Sequence, residues 1–137
     1  MMLLEENKQL VLRFHNDFTN AAIYEAADEL VHPDCKLYFA GELQTTTGPE
    51  VFKQTLSAFK TAFPDITWQV TQMVAEGDTV VERVTARGTH MGTFLGLPAT
   101  GKHVEFQGMA MIRIADGKII EDWALPNLAH LLEQLRS

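Results

Sequence analysis

The sequence contains a single cysteine, Cys35, among its 137 residues. One cysteine cannot form an internal disulfide, which is typical of proteins from a reducing compartment. No apolar run reaches the roughly 18 residues that a membrane-spanning helix requires. The opening residues MMLLEENKQL soon become acidic and polar, which is not the pattern of a secretory signal. We therefore expect a soluble cytoplasmic protein.

Basic residues are also scarce, and they do not cluster. The 11 Lys and Arg residues face 18 Asp and Glu residues, which gives a net charge of −7. This balance argues against partners that carry many negative charges, such as nucleic acids and anionic membranes. No two histidines, and no histidine and carboxylate, have the spacing of metal ligands, so we expect no metal site.

What the sequence does contain is the composition of one ordinary globular domain. Hydrophobic residues make up 46% of the chain and charged residues 21%, and no repeat, linker or low-complexity tract divides residues 1–137. Apolar periodicity of three to four residues predicts helices over 4–19, 23–31, 50–63 and about 128–135. Strand-type runs occupy 35–40, 67–75, 79–90, 103–114 and 118–124, with tight turns at 76–78 and 115–117.

The connection between the two longest strands, residues 88–106, is rich in glycine and threonine and contains Pro98. Glycines supply backbone freedom and proline fixes one φ angle, so this segment predicts an ordered loop. Helices packed on the concave face of a strongly bent sheet leave a cone-shaped cavity between the two layers. We therefore predict an α+β fold, a cone-shaped α+β barrel with a mixed or antiparallel sheet, that encloses a pocket for a small ligand.

In this order of elements, the chain resembles the SnoaL-like polyketide cyclase family, within the nuclear transport factor two-like superfamily. The resemblance extends over nearly the whole chain, although each matching piece is weak alone. The matching pieces are Val31-His32-Pro33-Asp34, Phe63-Pro64-Asp65, Glu76-Gly77-Asp78, Gly88-Thr89-His90-Met91-Gly92, Gly96-Leu97-Pro98-Ala99-Thr100-Gly101, Arg113, Asp116-Gly117-Lys118-Ile119, Trp123 and Gln134-Leu135.

The resemblance implies an activity and an assembly. Members of the family close a ring in a polyketide ester by an intramolecular aldol reaction, without metal or cofactor, and an acidic side chain carries the proton. A related isomerisation fits the same kind of pocket. The alternative is a non-catalytic protein that binds a hydrophobic small molecule or serves as a dimerisation module, because one fold supports many functions. The family also implies a homodimer.

Candidates for the proton carrier are few. The resemblance implies an aspartate four residues after Trp123, where this chain has Asn127, an amide that cannot carry a proton at neutral pH. Asn127 is expected to cap the last helix, and it could also face the cavity. Glu121 and Asp122 precede Trp123, and strand alternation directs one of them to each face of the sheet.

His90 closes the strand before the glycine-rich loop. It either binds a carbonyl group of the substrate or transfers a proton, or else its ring holds the loop in shape by hydrogen bonds. His15, His103 and His130 are expected on the solvent side, and Glu82 and Glu105 are expected to be surface carboxylates.

The pocket wall and the protein core should share their aromatic residues, because in a cone both are built from the same side chains. Alternation on the strand 103–114 directs Met109 and Met111 to one face, which is suited to a dimer interface, and small residues to the other, where they enlarge the cavity. The predicted pocket residues are Phe14, Phe18, Tyr38, Phe59, Trp68, Gly108, Ala110, Trp123 and Asn127.

Overall fold

The computed structural model describes residues 2–137 and contains helices packed on one six-stranded sheet. The helices are α1 (Met2–Arg13), α2 (Ala26–Leu30), α3 (Pro49–Ala62) and α4 (Leu128–Arg136), and a π-helical segment, Phe14–Asn20, continues α1. The strands are β1 (Val31–Phe39), β2 (Glu42–Leu43), β3 (Thr67–Glu76), β4 (Thr79–Thr89), β5 (His103–Ala115) and β6 (Lys118–Pro126). None of the helices in residues 2–137 is long and apolar enough to span a membrane.

The sheet has the order β2-β1-β6-β5-β4-β3 and is mixed, because β1 runs parallel to β6 while the other neighbours are antiparallel. Irregularities in register interrupt β3 after Val70 and the β5–β6 pair after Arg113. Such bulges increase local twist and bend a strand. The sheet therefore curves around the helices without closing, and the predicted cone-shaped α+β fold is confirmed.

Most helix and strand predictions agree with the structure to within one or two residues, but α2, β1 and β2 differ. α2 begins at Ala26, three residues after the predicted start. β1 begins at Val31, not at Cys35, so it contains Pro33. The ladder to β6 is irregular between Val31 and Lys36, and a proline that lacks an N–H is tolerated in such a stretch. The short edge strand β2 lies in the segment 41–48, to which the sequence patterns assigned neither a helix nor a strand.

The ordered loop between β4 and β5 packs on the end of α3. The backbone N–H groups of Met91 and Gly92 donate to the carbonyl oxygen of Ala62, at 2.9 and 3.1 Å. Gly92 approaches the helix so closely that a Cβ atom would collide with the carbonyl oxygen of Thr61. The glycine is thus required by close packing rather than by a special φ angle.

Candidate active site

A cavity of about 130 Å³ lies between the helices and the concave face of the sheet. Its walls are mainly aromatic, because the apolar faces of the π-helical segment and of α3 are directed toward the sheet here. Its floor is formed by small residues on neighbouring strands: Gly108 and Ala110 on β5, and Ala124 on β6. The aromatic residues that line it are Phe14, Phe18, Phe39, Phe52, Phe59, Trp68 and Phe106.

A second space of about 320 Å³, which we name the vestibule, adjoins the cavity. Phe39, Thr55 and Phe59 line both spaces. The polar side chains of the vestibule are uncharged: Gln44, Thr45, Thr46, Gln54 and Thr55. The vestibule therefore offers neutral hydrogen-bonding groups beside the aromatic inner cavity.

Asp122 is the polar group that stands out in the inner cavity. Its side chain is buried in β6, on the concave face, and Oδ1 has no hydrogen-bond partner among the described residues. Burial, together with the negative charge of Glu82, raises the pKa of the Asp122 carboxyl from 3.8 to about 7, and His15 opposes part of this shift. A carboxyl group in this state populates both its acid and its base form near neutral pH.

His15 and Glu82 form a buried pair in the same cavity. His15 Nε2 lies 2.7 Å from Glu82 Oε1 and 2.9 Å from Oε2, and its Nδ1 lies 3.1 Å from the hydroxyl oxygen of Thr19. The Thr19 hydroxyl donates to the backbone oxygen of His15 at 2.9 Å. Both members of the pair are more than nine-tenths buried, with 8% of His15 and 3% of Glu82 exposed.

The sequence-based expectation that His15 and Glu82 face solvent is wrong. His15 follows Phe14 in the π-helical segment, which turns Phe14, His15, Phe18 and Thr19 toward the cavity. The sequence did contain evidence that His15 is buried. Residues 11, 14, 15 and 18 form a regular helical stripe in which His15 is the polar member. Glu82 likewise has the inward phase of β4, between Val80 and Val84, and finds a buried partner in His15.

Comparison with known proteins places the chain in a family. A model of the SnoaL-like polyketide cyclase family matches residues 9–135. The chain belongs to this family. Nogalonic acid methyl ester cyclase from Streptomyces nogalater is 26% identical over 117 residues, which cover 85% of this chain and 87% of that protein.

Two solved structures that share the fold are AclR, described as a hydroxylase, and a protein described as SnoaL-like. AclR from Streptomyces galilaeus superposes with a TM-score of 0.86 at 28% identity, and the match covers 97% of each chain. A SnoaL-like protein from Jannaschia sp. CCS1 reaches a TM-score of 0.91 at 23% identity, over 100% of this chain and 96% of that one. The cyclase relatives favour the cyclase interpretation over a non-catalytic binding module.

Seven of the residues predicted for the SnoaL-like site line the cavity together. They include one of the three predicted acid–base candidates, Asp122, and six of the predicted pocket residues. These residues are Phe14, Phe18, Phe59, Trp68, Gly108, Ala110 and Asp122.

His90 lies apart from this group, under the loop between β4 and β5. Its Nδ1 accepts from the backbone N–H of Thr100 at 3.2 Å and lies 3.0 Å from the Thr100 hydroxyl. Its ring packs on Phe63, with centroids 5.4 Å apart, and its Nε2 is buried without a hydrogen-bond partner within residues 2–137. Since His90 does not line the cavity, this geometry matches the loop-holding alternative rather than contact with substrate.

The remaining predicted residues lie on the convex face of the sheet or at its end. Glu121 accepts from Trp123 Nε1 at 3.0 Å and lies 3.6 Å from Arg113, while the rings of Tyr38 and Trp123 stack at 3.7 Å. Asn127 Oδ1 accepts from the backbone N–H of His130 at 3.1 Å, so Asn127 caps α4 as predicted. These four side chains do not border the inner cavity.

The described residues offer no evident metal centre. Across residues 2–137, no group of three or more His, Cys, Asp or Glu side chains is arranged to hold a metal ion.

Proposed function

We propose that this protein closes a ring in a small, largely apolar carbonyl compound by an intramolecular aldol-type reaction, with Asp122 as the proton-transfer group and without a cofactor. The observation that carries the proposal is the Asp122 carboxyl itself. It is buried in an aromatic cavity with an unpartnered oxygen, and its pKa is raised to about 7. A general acid–base group works best when its pKa lies near the operating pH.

The reaction requires two proton movements that a single group of this kind can perform. Asp122 in its carboxylate form removes a proton from a carbon next to one carbonyl group, and the electrons of that C–H bond form an enolate. The enolate carbon attacks a second carbonyl carbon of the same molecule, and the proton returns to the oxygen that becomes a hydroxyl. The product is an isomer of the substrate, and the side chain is regenerated.

The shape and charge of the site support a substrate with a compact, uncharged reacting part. The inner cavity of about 130 Å³ is comparable to an engineered apolar cavity of about 150 Å³ that accepts benzene. It therefore holds roughly one ring, while the rest of a larger substrate extends into the vestibule. The described residues that line these two spaces include no lysine or arginine, so an ester or ketone fits better than a free acid.

The test uses nogalonic acid methyl ester, the substrate in the name of the Streptomyces nogalater relative. We expect the protein to convert it to a product of equal mass and different retention time in liquid chromatography with mass detection. Asp122→Asn should lower kcat by roughly a hundredfold or more. Glu121→Gln is the matched control, because Glu121 precedes Asp122 in β6 but faces the convex side, and it should keep full activity.

Two results would contradict the proposal. One is an Asp122→Asn variant that is as active as the wild-type protein. The other is a wild-type protein that binds this ester and a panel of smaller diketones without altering any of them. The second result would support the alternative, a non-catalytic binder of apolar small molecules.

We also propose that the protein is a homodimer that pairs through the convex face of the sheet. An apolar row crosses all six strands on this face, with one residue from each strand directly opposite the next. The residues of the row are Val74, Val81, Met111, Trp123, Tyr38 and Leu43. Four of these remain between 38% and 54% exposed: Val74, Met111, Trp123 and Leu43. A continuous exposed apolar surface on a soluble chain is typical of an interface.

Sedimentation equilibrium tests the homodimer. We expect a dimer at micromolar concentration for the wild-type protein and a monomer for Met111→Lys, which sets a charge in the middle of the row. Gln107→Lys is the matched control, because Gln107 lies on the same strand and face outside the row. A monomeric wild-type protein would refute this proposal.

A cytoplasmic location and the lack of nucleic-acid binding remain proposals, supported by the single buried Cys35 and the net charge of −7. Retarded migration of a labelled duplex in the presence of the protein would contradict the second. Recovery of the tagged protein outside the cytoplasmic fraction of cells would contradict the first.

A further inference from the structure

We propose that Glu82 is a second catalytic group of the cavity, the base that removes the carbon-bound proton, and that His15 and Thr19 are positioning residues that hold its carboxylate ionised. The cavity then works with two carboxyl groups in different protonation states. The inference rests on the proposed function, which it refines by dividing the two proton movements between Glu82 and Asp122.

The Thr19 hydroxyl has a single proton, and its position determines the roles of its neighbours. The hydroxyl lies 2.9 Å from the backbone oxygen of His15, which can only accept, so the single hydroxyl proton is used there. The same oxygen lies 3.1 Å from His15 Nδ1. Since Thr19 has no second proton to give, Nδ1 must be the donor in that contact.

The other ring nitrogen of His15, Nε2, contacts the Glu82 side chain. Both oxygens of Glu82 lie within 2.9 Å of His15 Nε2, at 2.7 and 2.9 Å. A neutral carboxylic acid would bring only its hydroxyl oxygen to a nitrogen acceptor, whereas a carboxylate shares one N–H between its two equivalent oxygens. His15 therefore carries a proton on each nitrogen, and Glu82 is ionised.

Glu82 and Asp122 differ in their protonation states. Asp122 faces Glu82 of β4 and His15 of the π-helical segment across the cavity. In its ionised form, Asp122 also raises the pKa of the buried Cys35 thiol on β1. A second negative charge close to Glu82 is unfavourable in a buried site, so Asp122 is the carboxyl that retains a proton. Two carboxyl groups whose surroundings separate their protonation states mark an acid and a base.

The divided reaction balances. Glu82 removes the proton from the carbon next to a carbonyl group, and the C–H electrons form the enolate. As the enolate carbon forms the new C–C bond, Asp122 gives its O–H proton to the second carbonyl oxygen. A proton then passes from Glu82 to Asp122, directly or through solvent, and both groups return to their starting states with no oxidant or reductant consumed.

A spectroscopic experiment tests the positioning role without any substrate. In long-range ¹H–¹⁵N spectra at pH 7, both ring nitrogens of His15 should have the shifts of protonated imidazolium nitrogens, with the signals assigned by their loss in His15→Gln. Thr19→Val, which keeps the shape but removes the acceptor, should change the Nδ1 signal, and Thr19→Ser should restore it. Shifts of a neutral ring in the wild-type protein would overturn the inference.

A kinetic experiment separates the two carboxyl groups. With nogalonic acid methyl ester in D₂O, Glu82→Gln should lose both deuterium incorporation next to the carbonyl and ring closure, each by roughly a hundredfold or more. Asp122→Asn should lose ring closure but retain deuterium incorporation. Glu82→Asp, which keeps the charge on a shorter side chain, should recover part of both, and Glu121→Gln should match the wild-type protein.

The outcomes distinguish this inference from the proposed function. If Asp122→Asn loses deuterium incorporation while Glu82→Gln retains it, the single-group mechanism stands and Glu82 is not the base. If the wild-type protein neither exchanges nor cyclises the ester, the proposed function fails, and the base role of Glu82 fails with it even if the His15 signals are those of an imidazolium. Circular dichroism on each variant verifies that a loss of rate reflects a folded protein.

Discussion

Replacing Asp122 by asparagine should stabilise the protein at neutral pH while it removes the activity. The carboxyl has an ordinary pKa of 3.8 when exposed, and burial and Glu82 raise it to about 7 in the folded protein. The folded state thus holds a proton that the unfolded chain releases, so the contribution of this group to stability is fully present below pH 4 and is lost as the pH rises toward 7. An asparagine stays neutral and avoids this loss.

The magnitude follows from the difference between the two pKa values. At about 1.36 kcal/mol for each unit of pH, a rise from 3.8 to about 7 corresponds to a loss on the order of 4 kcal/mol between pH 4 and pH 7. The stability of Asp122→Asn relative to the wild-type protein should therefore increase by an amount of this order across the same range. Above pH 8 the difference should reach a plateau, because Asp122 is then ionised in both states.

Urea unfolding at half-unit intervals from pH 4 to pH 8.5 measures this difference directly. Glu121→Gln, the neighbouring carboxyl on the convex face, is the control and should give a difference that changes little with pH. A stability difference between Asp122→Asn and wild type that is independent of pH would refute the reasoning. It would mean that the pKa of Asp122 is the same in the folded and the unfolded protein, so that Asp122 is not a neutral-pH acid.

Three further predictions concern residues outside the carboxyl pair. Burial, together with the charges of Asp122 and Glu121, raises the pKa of the Cys35 thiol from 9.0 to about 12. The native protein should therefore react with a thiol reagent at pH 8 about a thousandfold more slowly than the urea-unfolded chain. Equal reaction rates would contradict this prediction. Asn127→Ala should lower the free energy of unfolding by about 1 kcal/mol because the α4 cap is lost, whereas Asn127→Asp should keep it, and equal melting curves for the two variants would argue against the cap. Gly92→Ala should destabilise the protein by about 1–3 kcal/mol, because its Cβ would overlap the Thr61 carbonyl, and an unchanged urea midpoint would show that the loop can shift.

The periodicity of apolar residues was sufficient to predict most of the helices and strands. Its helical and strand-type repeats predicted the helices and the long strands, since burial of one face determines both periods. The parallel pairing of β1 with β6 could not be predicted in this way, because it brings together segments 31–39 and 118–126 that are far apart in the chain. The same holds for β2, which has only two residues and no apolar pattern of its own.

The aromatic wall of the site was predictable, but its chemistry was only partly so. Asp122 was a candidate because strand alternation directs either Glu121 or Asp122 toward the cavity. Nothing in the local sequence showed which of the two it is. His15 and Glu82 are 67 positions apart, and neither sequence segment indicates that the other residue will lie beside it. Their burial depends on the contact between them, which is a property of the tertiary structure rather than of either sequence segment.

The π-helical segment has a consequence for how this site could have arisen. A π-helical turn accommodates one more residue than an α-helical turn, so a single-codon insertion into an ordinary first helix would create it. Such an insertion rotates everything that follows, and it is in this segment that His15 and Thr19 reach the cavity. A relative without the extra residue would keep the cone and its aromatic wall but would present different side chains to Glu82. Gain or loss of one codon between residues 14 and 20 would then change the acid–base residues of the cavity in a single evolutionary event.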